Sequence, residues 1–537
     1  MARRRNRRPG YPRTGGGGRS PHTVARGDPD TWVQPPPSPA RRRPGYRSGF
    51  ASAADCCADA RAVVVRLARA AHRSRRSAVP GRVDRCVPAW PLSACEVSGR
   101  PGPALARRRA SRYGDRDDQT ARNRLPLPEE VIMNSRERVR KILNFEEADR
   151  PAIDLGATRM TGTVAWTYQA LKQALGIDGG QTRVFDLFQM LAEVEEPVLD
   201  ALGCDFAMVP ADTMNYGLDR NGWKEFTFWG DQTFHVPEGF RPQVTNDGSL
   251  LVGEGPGWTD PVARMPEGGR YFDAINVANL TETFEVPHID QKDWTVPGPL
   301  ESDFLERERA KVKALYESTE RALVVTPPFN LPGGYGGLYQ FGMKMSLDRD
   351  HCREYMLAQC EASAARARQY LGAVGEYIEV VILSGADYGT QDREVFRPSL
   401  FGDILAPAWK LVCDAVHEFP DVKVWIHSCG SIPDLIGHIA DAGVDCLNPV
   451  QWGAAGMDRR WMKETYGDRL VFWGGGINTQ NTFPFGSAAE VRREAQECLD
   501  IFAPGGGCVV NPIHNIQADV PVENILALYE TARAYSY

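Results

Sequence analysis

Short apolar runs of strand type recur along residues 133–537. They are Ala152–Leu155, Phe206–Val209, Ala322–Val325, Glu379–Leu383, Val422–Ile426, Asp445–Leu447, Leu470–Trp473 and Cys508–Val510. Each is rich in aliphatic residues and bounded by Gly, Pro or polar turn residues, as strands are. Segments with helical spacing of apolar residues separate most of them: Thr163–Leu175, Phe185–Leu202, Ser346–Tyr370, Phe401–Glu418, Ile432–Ala442 and Ala488–Phe502. Eight strands alternating with helices predict an α/β protein. The architecture expected is a closed (β/α)8 TIM barrel rather than an open sheet. Ahead of the first strand, Asn134-Ser135 supplies a cap for a helix with Val139, Ile142, Leu143 and Phe145 on one face.

Residues 216–290 interrupt this alternation. Trp223, Phe226, Phe228, Trp229, Phe234 and Trp258 lie there among many Gly and Pro residues. The alternating stretch Lys224-Glu225-Phe226-Thr227-Phe228 predicts hairpins. The segment reads as a β-rich insertion near the barrel mouth, its aromatics serving core and lid packing rather than a stacking platform.

Composition divides the chain. Residues 1–132 hold 28 Arg, no Lys and 11 acidic residues, against 35 basic and 58 acidic residues in 133–537. The first segment also carries Gly15–Gly18, Pro35-Pro36-Pro37 and Arg41-Arg42-Arg43. Such a stretch buries too little apolar surface to offset its ordering entropy, so 1–132 is expected to be disordered. Three readings of it stay open: a basic tail for nucleic acid, an Arg-rich targeting segment, or non-native coding sequence. The last accounts best for the missing lysines, because Arg, Pro, Ala and Gly codons are GC-rich. Residues 133–537 are acidic, which argues against a nucleic-acid partner there. No run of eighteen apolar residues predicts a membrane helix, and Val63-Val64-Val65 is too short for a signal core. The scattered cysteines fit a reducing, cytoplasmic setting better than a disulfide framework.

Active sites of such barrels sit at the C-terminal ends of the strands. The fifth run ends in Trp425-Ile426-His427-Ser428-Cys429-Gly430. Strand alternation turns His427 and Cys429 the same way, so an imidazole and a thiol can hold a soft cation together. A third ligand is expected from His514, beyond the last strand, or alternatively from Cys508 at its start. Asp387, or less favourably Glu379, completes the sphere. Asp387 reads equally as a turn residue or as a proton-handling carboxylate, and His514 as its catalytic companion. Arg159 is suited to clamping a substrate carboxylate or phosphate. Gln391, Gln451, Asn478 and Gln480 orient a small-molecule substrate without titrating. The Gly474-Gly475-Gly476 run lacks the spacing of a phosphate loop, and no Gly-x-Ser-x-Gly elbow is present.

Several motifs resemble one family. Arg136–Arg150, with Asn144-Phe145-Glu146-Glu147-Ala148-Asp149-Arg150-Pro151, looks like the N-terminal helix of the uroporphyrinogen decarboxylase superfamily. His427-Ser428-Cys429-Gly430-Ser431-Ile432, Ala442–Asn448, Asn511-Pro512-Ile513-His514 and Pro521-Val522-Glu523-Asn524 resemble its later motifs. The resemblance covers 133–537 and implies a (β/α)8 barrel. True decarboxylases of that family carry an Arg-Gln-Ala-Gly-Arg loop after strand one. Gly156-Ala157-Thr158-Arg159-Met160 stands here, so only Arg159 matches. Their Asp near strand two would be Asp205 or Asp212, and their C-terminal His is matched by His514. The cobalamin-dependent zinc methyltransferases of the superfamily hold Zn²⁺ by His-x-Cys and a distant Cys. His427 and Cys429 match the first two positions, and His514 stands at the third. That branch implies zinc, a corrinoid carried by a partner protein, and a thiol or folate acceptor. The alternatives are cofactor-free uroporphyrinogen decarboxylation in porphyrin biosynthesis, or non-catalytic corrinoid or tetrapyrrole binding.

Overall fold

The computed structural model describes residues 133–253, 258, 260–275, 286 and 288–537. The expectation for 1–132 lies outside the described residues. Eight strands form one sheet: β1 (Ala152–Ile153), β2 (Phe206–Met208), β3 (Ala322–Val325), β4 (Val380–Gly385), β5 (Lys423–His427), β6 (Cys446–Asn448), β7 (Val471–Trp473) and β8 (Cys508–Val510). Their order is β1-β8-β7-β6-β5-β4-β3-β2, and each ladder is parallel. The eight apolar runs of the sequence are these eight strands, and helices lie between most of them. The protein is a (β/α)8 barrel.

The barrel closes between β1 and β2 through one residue. Asp205 donates its backbone N–H to the Ile153 carbonyl at 2.8 Å, and its carboxylate accepts the Ile153 N–H at 2.9 Å. A side chain thus replaces a missing ladder acceptor. The same carboxylate accepts from Arg138 Nη1 and Arg150 Nη1, both at 2.7 Å, and from Ser135 Oγ at 2.9 Å. Asp205 is fully buried, so the charge is compensated by two guanidinium groups rather than by water.

Alternation along the strands sorts the side chains into two cores. Ala152, Phe206, Val324, Val380, Trp425, Cys446, Val471, Trp473 and Val509 fill the interior. Ile153, Ala207, Leu323, Val381, Val424, Leu447, Phe472 and Cys508 belong to the layer under the helices. The helix Ser135–Leu143 lays Val139, Ile142 and Leu143 against the interior set. It starts with a capping box between Asn134 and Glu137, which satisfies two otherwise orphaned N–H groups. Phe145 lies beyond this helix with φ 59°, and not on its face as its spacing suggests.

Two helical expectations are corrected. No helix spans Phe185–Leu202. Val184–Asp186 and Leu191–Ala192 pair antiparallel, and only Glu196–Leu202 is helical. Asp186 reverses the chain there by accepting from the N–H groups of Phe188 and Gln189 at 3.0 and 2.9 Å. Such local bonding competes with helix formation. The helix expected over Ser346–Tyr370 is two, Leu338–Leu347 and Arg349–Val374, broken at Asp348.

The insertion is antiparallel β structure. Trp223–Thr227 pairs with Thr233–Pro237, and Gln243–Val244, Leu250–Gly253, Pro261–Met265 and Asp273–Ala274 form a four-stranded sheet. Buried Phe234, Phe240 and Phe272 make its core. Trp166, at the start of the helix Ala165–Ala174, meets Phe228 and Phe234 edge-on at 5.8 and 5.0 Å. At the other end the His288 ring lies 4.6 Å from that of His351, in the first turn of Arg349–Val374. The insertion therefore packs beside the mouth, on the units that follow β1 and β3.

Replacing Asp205 by Ala removes the fully buried carboxylate shared by Arg138 and Arg150, leaves Arg138 with Asp149 as its carboxylate partner, and frees the β1–β2 seam. The expected loss in urea unfolding is about 3–5 kcal/mol. A loss below about 1 kcal/mol would show that the seam closes without this carboxylate.

Candidate metal centre

β5 delivers His427 at its last position, with the same parity as interior Trp425. Cys429 follows two residues on and keeps that direction. The turn is held by its neighbours. The Cys429 N–H donates to Asp387 Oδ1 at 2.8 Å, the Gly430 N–H to Gln451 Oε1 at 2.7 Å, and the Ser428 N–H to the Asn448 carbonyl at 2.7 Å. Gly430 adopts φ 94°, and a Cβ there would stand 2.4 Å from the Gly389 backbone. Only glycine allows the loops after β4 and β5 to press together in this way.

His514, from the loop after β8, closes the group. Ligand atoms of His427, Cys429 and His514 all lie within 4.8 Å of one another. The His427 and His514 rings meet at 5.6 Å and 73°, and Cys429 Sγ is 3.3 Å from His427 Nε2. Tetrahedral zinc with bonds of about 2.0–2.3 Å places neighbouring ligand atoms about 3.5 Å apart, so this nitrogen–sulfur pair is already spaced for one ion. Two imidazoles and a thiolate suit zinc by chemistry as well.

Asn448 sets the chemistry of His427. Its Nδ2 donates to the Trp473 carbonyl at 3.0 Å, which turns its Oδ1 toward His427 Nδ1 at 2.7 Å. A carbonyl oxygen only accepts, so Nδ1 carries the hydrogen and Nε2 is the nitrogen turned to the Cys429 side. The network continues. Trp473 Nε1 donates to Asp154 Oδ2 at 2.8 Å, and Asn511 Nδ2 donates to the Asp154 carbonyl at 3.1 Å. Burial raises the Asp154 carboxyl to about 6, against the stabilising N–H groups of Ala157 and Trp473.

Electrostatics also prepare the His514 imidazole. Burial, aided by the neighbouring His427, pushes His514 down to about 4, only partly opposed by Asp387. Its ring is therefore neutral near pH 7 and able to donate a lone pair. Burial works to raise the Asp387 carboxyl, but bonding to His427 and the Cys429 N–H outweighs it and leaves the group below its usual range. Asp387 Oδ1 lies 3.4 Å from His427 Nε2, beside the trio.

Other expected site residues are employed elsewhere. Cys508 has the parity of Phe472 and Val510 and faces the helix layer, where burial lifts its thiol to about 12. It is not brought to His427. Glu379 precedes β4 at the opposite barrel end, paired with Arg140 at 3.1 Å and accepting the Leu323 N–H at 2.8 Å. Asp205 is the closure residue at that same end, and Asp212 pairs with Lys311 at 3.1 Å. The Arg159 guanidinium is bound by Asp186. Gln451 holds the Gly430 turn. Asn478 Oδ1 accepts the N–H groups of Gln480 and Asn481 at 2.8 and 3.1 Å, starting the short helix Thr482–Phe485. Gln391 and Gln480 are exposed. Asn448, Trp473 and Asp154 carry the support network, and their shared inward parity at three strand ends was the signal available for them.

The family comparison falls on this part of the chain. Residues 339–535 match the family model of uroporphyrinogen decarboxylase (URO-D). That stretch is similar to the family. It contains Asp387, His427, Cys429, Asn448 and His514, whereas Arg159 lies before it. Among solved structures, a methyltransferase from Methanosarcina mazei is 16% identical, with a TM-score of 0.45 over 75% of this chain and 98% of the other. A protein from Thermus thermophilus soaked with zinc chloride is 15% identical, with a TM-score of 0.23 over 44% and 88% of the two chains. No curated protein matches the sequence.

Removing the Asn448 carbonyl in Asn448→Ala frees the His427 tautomer. Zinc affinity, read by competition with a chelating dye, is expected to fall on the order of 10–100-fold. Cys508→Ser should bind zinc as the parent does. If it is Cys508→Ser that loses the metal, the ligand set is misassigned.

Proposed function

We propose that this chain is a zinc-dependent methyl-transfer enzyme. It moves a methyl group from a corrinoid carried by a partner protein to a thiol or folate acceptor. The observation that carries this reading is the meeting of His427, Cys429 and His514 at the barrel mouth, within the stretch similar to the URO-D family. Those three side chains would hold the ion. Zinc supplies Lewis acidity there, lowering the pKa of a bound thiol so that a nucleophile exists at neutral pH.

The chain's own residues prepare the place. Asn448 keeps hydrogen on His427 Nδ1 and directs Nε2 to the centre. Asp387 fixes the Cys429 backbone by accepting its N–H and keeps a carboxylate beside the three ligands. Three protein ligands leave one coordination position for the acceptor, the pattern of catalytic rather than structural zinc. The difficult bond belongs to the corrinoid, while the protein supplies orientation and field.

Uroporphyrinogen decarboxylation is the second reading, favoured specifically by the family that residues 339–535 match. Against it stand the binding of Arg159 by Asp186 and the position of Asp205 at the far end of the barrel. Among the described residues no helix is long and apolar enough to cross a membrane. The reading therefore assigns small-molecule and protein partners reached from water.

Purified protein is expected to contain zinc that Cys429→Ser loses, and to demethylate methylcobalamin in the presence of a thiol or reduced folate. Metal-free protein that converts uroporphyrinogen would reverse the assignment. Tight corrinoid or porphyrin binding without turnover of either kind would make it a binding protein instead.

A further inference from the structure

A second group of metal-ligating side chains lies away from the mouth centre. Ligand atoms of His288, Asp348 and His351 all approach within 4.8 Å of one another. They come from two parts of the chain. His288 belongs to the end of the insertion, Asp348 caps the helix Arg349–Val374, and His351 lies in its first turn. The His351 ring is boxed by His288 at 4.6 Å and Trp294 at 5.5 Å, and its Nε2 lies 3.2 Å from the Tyr335 hydroxyl. Packed rings of this kind lose little freedom on taking a ligand.

The group already gathers a positive charge. The nearly buried Lys344 places Nζ 2.8 Å from His288 Nδ1 and 3.1 Å from Asp348 Oδ2. An ammonium only donates, so His288 Nδ1 presents a lone pair toward the cluster. That lone pair and the Asp348 oxygen are what a metal ion would use. Two nitrogens and a carboxylate suit a borderline divalent cation, distinct from the sulfur-containing centre at the mouth.

We infer that His288, Asp348 and His351 form a second divalent-cation site, selective for ions such as Zn²⁺ or Ni²⁺, that ties the insertion to the barrel. Lys344 is its resident cation without metal. Its flexible four-carbon stem lets the ammonium swing to solvent when a metal enters. The site is independent of the methyl-transfer reading, since it shares no ligand with the mouth centre.

Metal binding to the full chain tests this, with Zn²⁺ as the probe and equilibrium dialysis as the readout. The parent protein is expected to take two equivalents and Cys429→Ser one. In the Cys429→Ser background, His288→Ala and His351→Gln should each remove the remaining equivalent, and Lys344→Met should tighten it. Two variants on different elements guard against one that fails to fold. A parent that binds one equivalent, with none left in Cys429→Ser, would overturn the proposal. So would a second equivalent that survives both histidine substitutions.

Discussion

Side chains of a β-strand alternate between two faces, and closing the sheet makes those faces an inside and an outside. Each strand of this barrel obeys that alternation, and the candidate metal centre follows from it. Trp425 points inward, so His427 does too, and Cys429 continues the direction past the strand end. Cys446 and Asn448 repeat the pattern on β6, which sets an amide beside the imidazole. Cys508 sits one step out of phase, so a thiol close to His514 in sequence belongs to a different layer.

The two ends of the barrel do different work. At the N-terminal end, buried Asp205 and Glu379 gather Arg136, Arg138, Arg140 and Arg150. Charges there replace ladder bonds and anchor the helix Ser135–Leu143. At the C-terminal end the polar residues hold one another in place, and the ligand atoms of Cys429, His427 and His514 converge. Paired charge stabilises a fold, whereas converging nitrogen and sulfur ligand atoms suit a cation or a reacting group.

The insertion is joined to this frame by aromatic packing at one end and by the His288–His351 contact at the other. Trp166 serves the first junction and Lys344 the second. Its aromatic residues are mostly consumed by its own core, so its bearing on the mouth is through position rather than through an exposed stacking surface.

Short continuous apolar runs with helical spacing between them were enough to read eight strands, because burial on both faces leaves an unmistakable aliphatic signature. The His427-Ser428-Cys429 direction was legible for the same reason: alternation is local. The helix over Phe185–Leu202 was misread because the turn-forming bonds of Asp186 look in sequence like any polar residue in an amphipathic stretch. Sequence by itself determined which residues stand at strand ends and which way they face. Only the tertiary structure decided which strand ends meet. It gave Asp186 to Arg159 and Gln451 to Gly430, and it brought His514 to His427 across 87 positions of chain. Local geometry is carried by a few neighbouring residues, whereas partnership depends on the closure of the whole barrel.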